Sequence, residues 1–416
     1  MNIKTLLTSG FMLATLASNA QTNKAYAVTG DGNGDFMWMN IREVDLGSGQ
    51  VKNTLFERSK TDYLLTDILS KKTFDQKLSG TSLGSSTYPT GTMVAASAYD
   101  RNSNKLFFIP MRLGELRWLD LDAKGGAAKF YTVNSSVLKV AADPRDEANN
   151  VTRMTIGADG NGYAITNDAN HLIRFTTGKT PVITDLGNII DADENKGMSI
   201  HNKCSSWGGD MLADAFGKLY VISANHQVYV IDIHTRIATF KGAITGLPAG
   251  YTTNGAAVNA DGDIVICSAT KFDGYYKVKL SDLAAVKIEG SDIKYNASDL
   301  ASSNLLLQKE ADAAAKFSMA DSRLNPLNNV SESKIFPNPI TNSTFSVLFD
   351  GKQEGTYTII FTDLAGRALQ SKTVNITKGA QTETVNLVSR PAKGMYMVKV
   401  LDQNKQVVLT EKVMIQ

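Results

Sequence analysis

Through the middle of the chain the hydrophobic positions recur in one order. An apolar run is followed by a tight Asp/Asn/Gly turn, a second apolar and aromatic run, a polar loop, and a strand whose apolar positions alternate. Four turns mark the pattern, Asp100 to Lys105, Asp159 to Gly162, Asp214 to Gly217 and Asp261 to Asp263, with starts 59, 55 and 47 residues apart. Each precedes a strand-forming run: Leu106 to Ile109, Tyr163 to Thr166, Leu219 to Ser223 and Ile264 to Ser268. Alternation with a period of two follows in Val228 to Ile233 and Tyr275 to Leu280, and a short fourth strand closes a unit at Ile237 to Lys241. Four short strands repeated about every 50 residues are the pattern of a β-propeller blade. One such sheet cannot bury both its faces, whereas blades packed around an axis can, leaving only short edges. A solenoid fits less well, because the units are four-stranded and rich in turns.

A fifth unit stands near the N-terminus, with strands at Ala25 to Val28, Phe36 to Leu46 and Val51 to Phe56. It lacks a first strand, and Ala297 to Ser303 is expected to supply it, closing the ring by pairing the two ends of the region. The reading is an all-β chain with a propeller of five blades over 21–308. A sixth blade is left open by the polar stretch 58–93. Gln308 to Ser322 is Ala-rich and Asn325-Pro-Leu-Asn-Asn329 breaks structure, so 309–330 is expected to be a linker.

From Ser331 the pattern changes to alternating strands separated by Gly- or Asn-bearing turns, as expected for a small antiparallel sandwich of immunoglobulin type over 331–416. Within it stand Phe336-Pro337-Asn338-Pro339, then Thr362-Asp363-Leu-Ala-Gly366-Arg367, then Gly394-Met-Tyr396-Met-Val398 and a basic-apolar terminal strand. In order and spacing these resemble the type A C-terminal sorting domain that Bacteroidetes use in type IX secretion. The resemblance implies a sorting signal read by the type IX secretion machinery. It also implies removal after export, with the passenger released or joined to the surface. The Met-rich wording of Gly394 to Val398 and the final Gln416 depart mildly from the usual pattern. More loosely, Asn296 to Ser302 resembles the closing segment of propeller passengers in such bacteria.

The N-terminus agrees with that destination. Lys4 precedes an apolar stretch, Thr5 to Ala17, too short to span a bilayer about 30 Å thick, and small residues surround Ala20. Residues 1–20 are therefore expected to be a signal peptide, and no later stretch suits a transmembrane segment. The 416 residues carry a formal net charge of +2, with no basic block to recruit nucleic acid or an anionic membrane. The two cysteines, Cys204 and Cys267, leave a single disulfide possible in an exported protein.

Chemistry is sparse. There is no Gly-x-Ser-x-Gly, His-Glu-x-x-His or Walker loop, and no histidine stands two or four residues from another histidine or a cysteine. Asp31, Asn33 and Asp35 place oxygen ligands at alternate positions, which suits calcium, though a hairpin loop explains the same residues; Asp191 to Asn195 is a second such loop. No other cofactor is expected. Loops entering the innermost strands should gather Tyr88, Arg153, Trp207, Asp210, Tyr251 and Asn254 on one rim, a recognition surface for glycan, peptide or protein, though polar loop residues and aromatics packing between blades explain the same set. The first functional reading is an exported or cell-surface binding protein. The alternative is a propeller enzyme: a lactonase, glycan hydrolase or lyase.

Overall fold

The structure is a computed structural model that describes residues 21–32, 34–76, 85–143, 145–290, 295–314, 334–340, 343–349, 353–363, 366–377, 381–388 and 391–415. The expected signal peptide lies outside them. The chain divides into two compact units, 1–316 and 317–416. Among the described residues no helix is long and apolar enough to cross a membrane.

The first unit is a propeller whose described residues form five sheets. Blade one holds Lys24–Thr29, Asn40–Asp45 and Val51–Phe56, and its innermost strand is Ala297–Ala301 from the far end of the region. The innermost strands of blades two to five are Val94–Asp100, Val151–Ile156, Asp210–Ala213 and Gly255–Val258. Each is followed by the strand expected from its Asp/Asn/Gly turn: Lys105–Pro110, Gly162–Thr166, Lys218–Ile222 and Ile264–Cys267. Among its described residues the stretch 58–93 builds no sixth blade. Its hairpin, Tyr63–Asp67 and Thr73–Gln76, adds to blade two by pairing parallel with Ala128–Asn134. Blade four gains a shorter outer strand, Ile190–Asp191, parallel to Ile237–Ala243.

Alternation explains why the ring closes. Successive side chains of a strand point to opposite faces, so Tyr26 and Val28 pack toward blade two while Ala25 and Ala27 pack toward blade five. The same division at every blade yields an apolar core at each of the five blade junctions. Innermost strands are enclosed by both neighbours and the axis. They therefore read as small buried residues, such as Gly255-Ala-Ala-Val258. Ile237–Ala243, far from the axis in blade four, is mostly half-buried or exposed instead.

Past Ala301 the chain runs beneath the channel to blade four, where the amide of Ala215 donates to Leu306 O and that of Leu306 to Ala213 O, at 2.9 and 3.0 Å. A short helix follows at 308–314, where the sequence suggested the start of a linker. Residues 315–330 lie outside the described residues.

The second unit is a two-sheet sandwich. One sheet joins Lys334–Phe336, Thr344–Phe349 and Gln381–Asn386; the other orders Ala368–Ile376, Gly355–Thr362, Gly394–Leu401 and Val407–Ile415. Its own core includes Phe345, Val347, Ile359, Phe361, Val398 and Val413. Asn338 fastens the first motif to the last strand, donating to Lys412 O at 2.9 Å and accepting from the Met414 amide at 3.0 Å. Asp363 accepts from the Arg367 amide across the Gly366 turn, where φ is +82°. Gly394 opens its strand at φ +152°, and Tyr396 stacks on Phe361 with ring centroids 5.0 Å apart. Phe336 is exposed, and the peptide bonds before Pro337 and Pro339 are cis.

Candidate functional site

The channel is closed by polar groups from several blades. Asp299, in the closing strand, accepts a hydrogen bond from the Ser97 hydroxyl of blade two. Asp210, at the start of blade four's innermost strand, accepts from the Ala256 amide of blade five at 2.6 Å and from the Met211 amide at 2.7 Å. Both carboxyl groups are fully buried and face each other. Burial raises both acids, Asp299 to about 7 and Asp210 well above the usual carboxylate range, where the neighbouring charge of Asp299 adds to the burial effect. Gly255 makes the close approach possible, because a Cβ there would lie 2.7 Å from Cys267 Sγ and 2.8 Å from the Asp299 carbonyl carbon.

At the end of the channel where first-to-second-strand turns gather lies a cavity of about 300 Å³. Tyr99, Arg101 and Asn102 of blade two and Asp159 of blade three line it, with Asn304 and Gln308 from the segment that runs beneath the channel. Tyr99 and Asn304 also border a space of about 10 Å³ leading toward Ser97, room for about one water. Side chains in this cavity are fixed by the fold. Asn304 donates to Thr22 O and Val258 O at 2.6 and 2.7 Å, and the Tyr99 hydroxyl donates to Asn104 at 2.9 Å.

The expected rim residues are placed differently. Tyr88, Arg153, Asp210 and Tyr251 are buried. Tyr88 packs edge-on against Tyr63 at 5.2 Å, between blades one and two. Arg153 donates to the carbonyls of Gly208, Thr166 and Ser206, binding blade three to blade four. Burial pulls its guanidinium down to about 10 against the opposing charges of Asp168 and Asp210. The Tyr251 hydroxyl lies 2.9 Å from Gly274 O and 3.2 Å from Ile266 O, inside blade five. These long side chains solve a packing problem at the blade junctions, which a sequence cannot distinguish from display on a rim. Trp207 and Asn254 are half-buried. The indole N–H of Trp207 donates to His201 O at 3.2 Å, and Lys203 Nζ stands 4.9 Å over its ring. Asn254 accepts from the Ala269 amide at 3.0 Å.

Asn33 lies outside the described residues. Asp31 and Asp35 both bind one nitrogen of Arg58, at 2.6 and 2.7 Å, so the guanidinium occupies the position between the carboxylates that a cation would take. In the second acidic loop Asp191 accepts from the Ile200 amide at 2.9 Å. Cys204 is exposed and Cys267 buried, and both are free thiols. Asp299 and Ser97 escaped the sequence reading. The available signal was an acid within Ala297-Ser-Asp-Leu-Ala301, a strand buried along its whole length.

No curated protein matches the chain. Among solved structures it is similar to PorZ, an essential bacterial surface component of the type-IX secretion system of Porphyromonas gingivalis. The identity is 15% and the TM-score 0.34, over 94% of this chain and 51% of that one, so the chain spans about half the length of PorZ. It is also similar to virginiamycin B lyase from Staphylococcus aureus, at 8% identity and TM-score 0.33 over 95% and 96% of the two chains. A third likeness is to the Myceliophteria thermophila Cps50 (Swd1) beta-propeller domain, at 10% identity and TM-score 0.28 over 90% of each. Residues 334–416 match the secretion system C-terminal sorting domain family. The chain is a propeller carrying a type IX sorting domain, exported by that route to the cell surface or the medium.

Proposed function

We propose that the propeller is a binding module delivered outside the cell, and that its ligand enters the cavity of about 300 Å³ at the turn end of the channel. The observation that carries this reading is the composition of that cavity. The Asn102, Asn304 and Gln308 amides, the Asp100 and Asp159 carboxylates and the Ser303 hydroxyl surround a single tyrosine ring, Tyr99. Such a set suits a polyhydroxylated ligand, a glycan segment, which exchanges many weak hydrogen bonds with amides and carboxylates.

The enzyme reading draws on one observation, the meeting of Asp210 and Asp299. Paired carboxyls of unequal acidity can serve as acid and base. Neither carboxyl lines the cavity, and the small space beside Ser97 has room for about one water, which favours binding over turnover.

The test is a glycan and peptide array probed with the exported protein, followed by titration of any hit. Arg101→Ala and Asn102→Ala, both on an exposed turn, should weaken a true ligand about 5- to 30-fold with unchanged thermal stability. A peptide hit would change the ligand class. Turnover of a hit, lost in Asp210→Asn, would establish the enzyme instead.

A further inference from the structure

Four blades meet at one pair of carboxyl groups. Asp299 belongs to the strand that closes the ring, Asp210 to blade four, the hydroxyl on Asp299 to Ser97 of blade two, and the amide on Asp210 to Ala256 of blade five. Asp299 Oδ1, beside them, is buried with no hydrogen-bond partner. A buried acceptor without a donor is costly, and so are two adjacent buried negative charges. One hydrogen removes both costs.

We propose that the propeller ring is latched by a proton shared between Asp210 and Asp299, with Asp210 donating and Asp299 accepting. The latch holds the closing strand to the opposite side of the channel, so ring closure is linked to pH. Other charged and titratable groups facing the pair are Arg153 of blade three and Cys267 of blade five. The arginine faces Asp168 and Asp210, whose charges oppose the desolvation of its guanidinium. The cysteine stays a thiol, because burial and then the charges of Asp210 and Asp299 raise it well above its usual range. The sign follows from the direction of the shifts. Both acids are raised on folding, so the folded chain retains protons that the unfolded chain has released above about pH 4. The stabilisation is complete below that pH. It falls progressively as pH rises above that, and is gone once the folded pair gives up its shared proton, a loss that burial delays well past the usual carboxylate range.

The test uses the full chain. All three tryptophans, Trp38, Trp118 and Trp207, lie in the propeller, so their fluorescence follows its unfolding alone. Between pH 5 and 9 the wild type should lose up to about tenfold in its folding constant per pH unit for each retained proton. Asp210→Asn and Asp299→Asn, which supply an N–H in place of the O–H, should flatten that slope. The wild type should also show the infrared carbonyl band of a protonated carboxylic acid at pH 7, a measurement that stands even if both variants fail to fold. Parallel pH profiles in wild type and folded variants, or the absence of that band, would overturn the latch. Loss of the band on adding calcium, with a rise in stability reversed by chelator, would overturn it in favour of a cation between the carboxylates.

Discussion

Ala27 stands opposite Leu300 in the antiparallel pairing that joins the first and last strands of the propeller. The side chains beside them enter both flanking cores: Ala297 and Leu300 pack at the junction with blade five, and Ala301 at the junction with blade two. Ending the propeller after residue 295 should therefore damage two blade junctions and expose strand edges on both sides. The expected result is loss of the cooperative transition, at a cost comparable to the whole stability of a domain, about 5–15 kcal/mol. Calorimetry of the truncated chain measures this, and a melt like that of the intact propeller would show that the seam carries little.

Arg117 is fully buried and gathers the chain entering blade two. It donates to the carbonyls of Ser86, Tyr88 and Pro89 at 2.5, 2.6 and 2.8 Å, and pairs with Glu115 at 2.7 Å. Arg117→Met should destabilise the propeller by about 3–5 kcal/mol, because three carbonyls and a carboxylate lose their donor together. Denaturant titration followed by tryptophan fluorescence gives the number.

Tyr251 and Trp207 were both expected on the rim, and the fold separates them. Tyr251→Ala should cost about 3–5 kcal/mol in stability, the range for removing a buried aromatic. Trp207→Ala should cost less than about 2 kcal/mol, since the ring is half-buried beneath Lys203. Equal losses in thermal melts would contradict this placement.

Arg58 holds Asp31 and Asp35 together and also donates to Met37 O at 3.3 Å. Calcium should leave the melting temperature of the wild type unchanged, because a guanidinium already neutralises the two carboxylates. In Arg58→Ala the freed carboxylates face one another, and millimolar calcium should raise the melting temperature by a few degrees. Differential scanning fluorimetry with and without chelator separates the two cases.

The sorting domain yields a prediction about destination. Deleting 331–416 should leave a folded propeller retained in the periplasm, and fusing the segment to an unrelated folded reporter should carry the reporter outside in a host with the type IX machinery. Cell fractionation and the mass of the mature chain read the outcome. A deletion exported normally would contradict it. Within the module, Asn338→Ala should cost about 0.5–1.5 kcal/mol, since Asn338 makes two hydrogen bonds to the final strand.

The blades, their turns and the closing strand were legible in the sequence because each rests on local chemistry. A turn rich in Asp, Asn and Gly ends one strand, and period-two alternation marks the next, so Asp100 to Lys105 and Asp159 to Gly162 announce their hairpins unaided. The sorting motifs were legible for a similar reason, as short runs in fixed order. Burial of the long polar side chains was not. Arg153 and Tyr251 have the composition of a binding rim, and only the packing of the blades buries them, Arg153 in hydrogen bonds that cross to blade four and Tyr251 in hydrogen bonds within blade five. The hairpin Tyr63–Gln76 could not be assigned to blade two, because its parallel partner, Ala128–Asn134, comes much later in the chain. The same distance hid the channel. Ser97 and Asp299 are unremarkable in sequence, and Asp210 reads there only as a rim residue. They become one proton-sharing cluster when five innermost strands converge on a single axis, where each contributes only one or two residues.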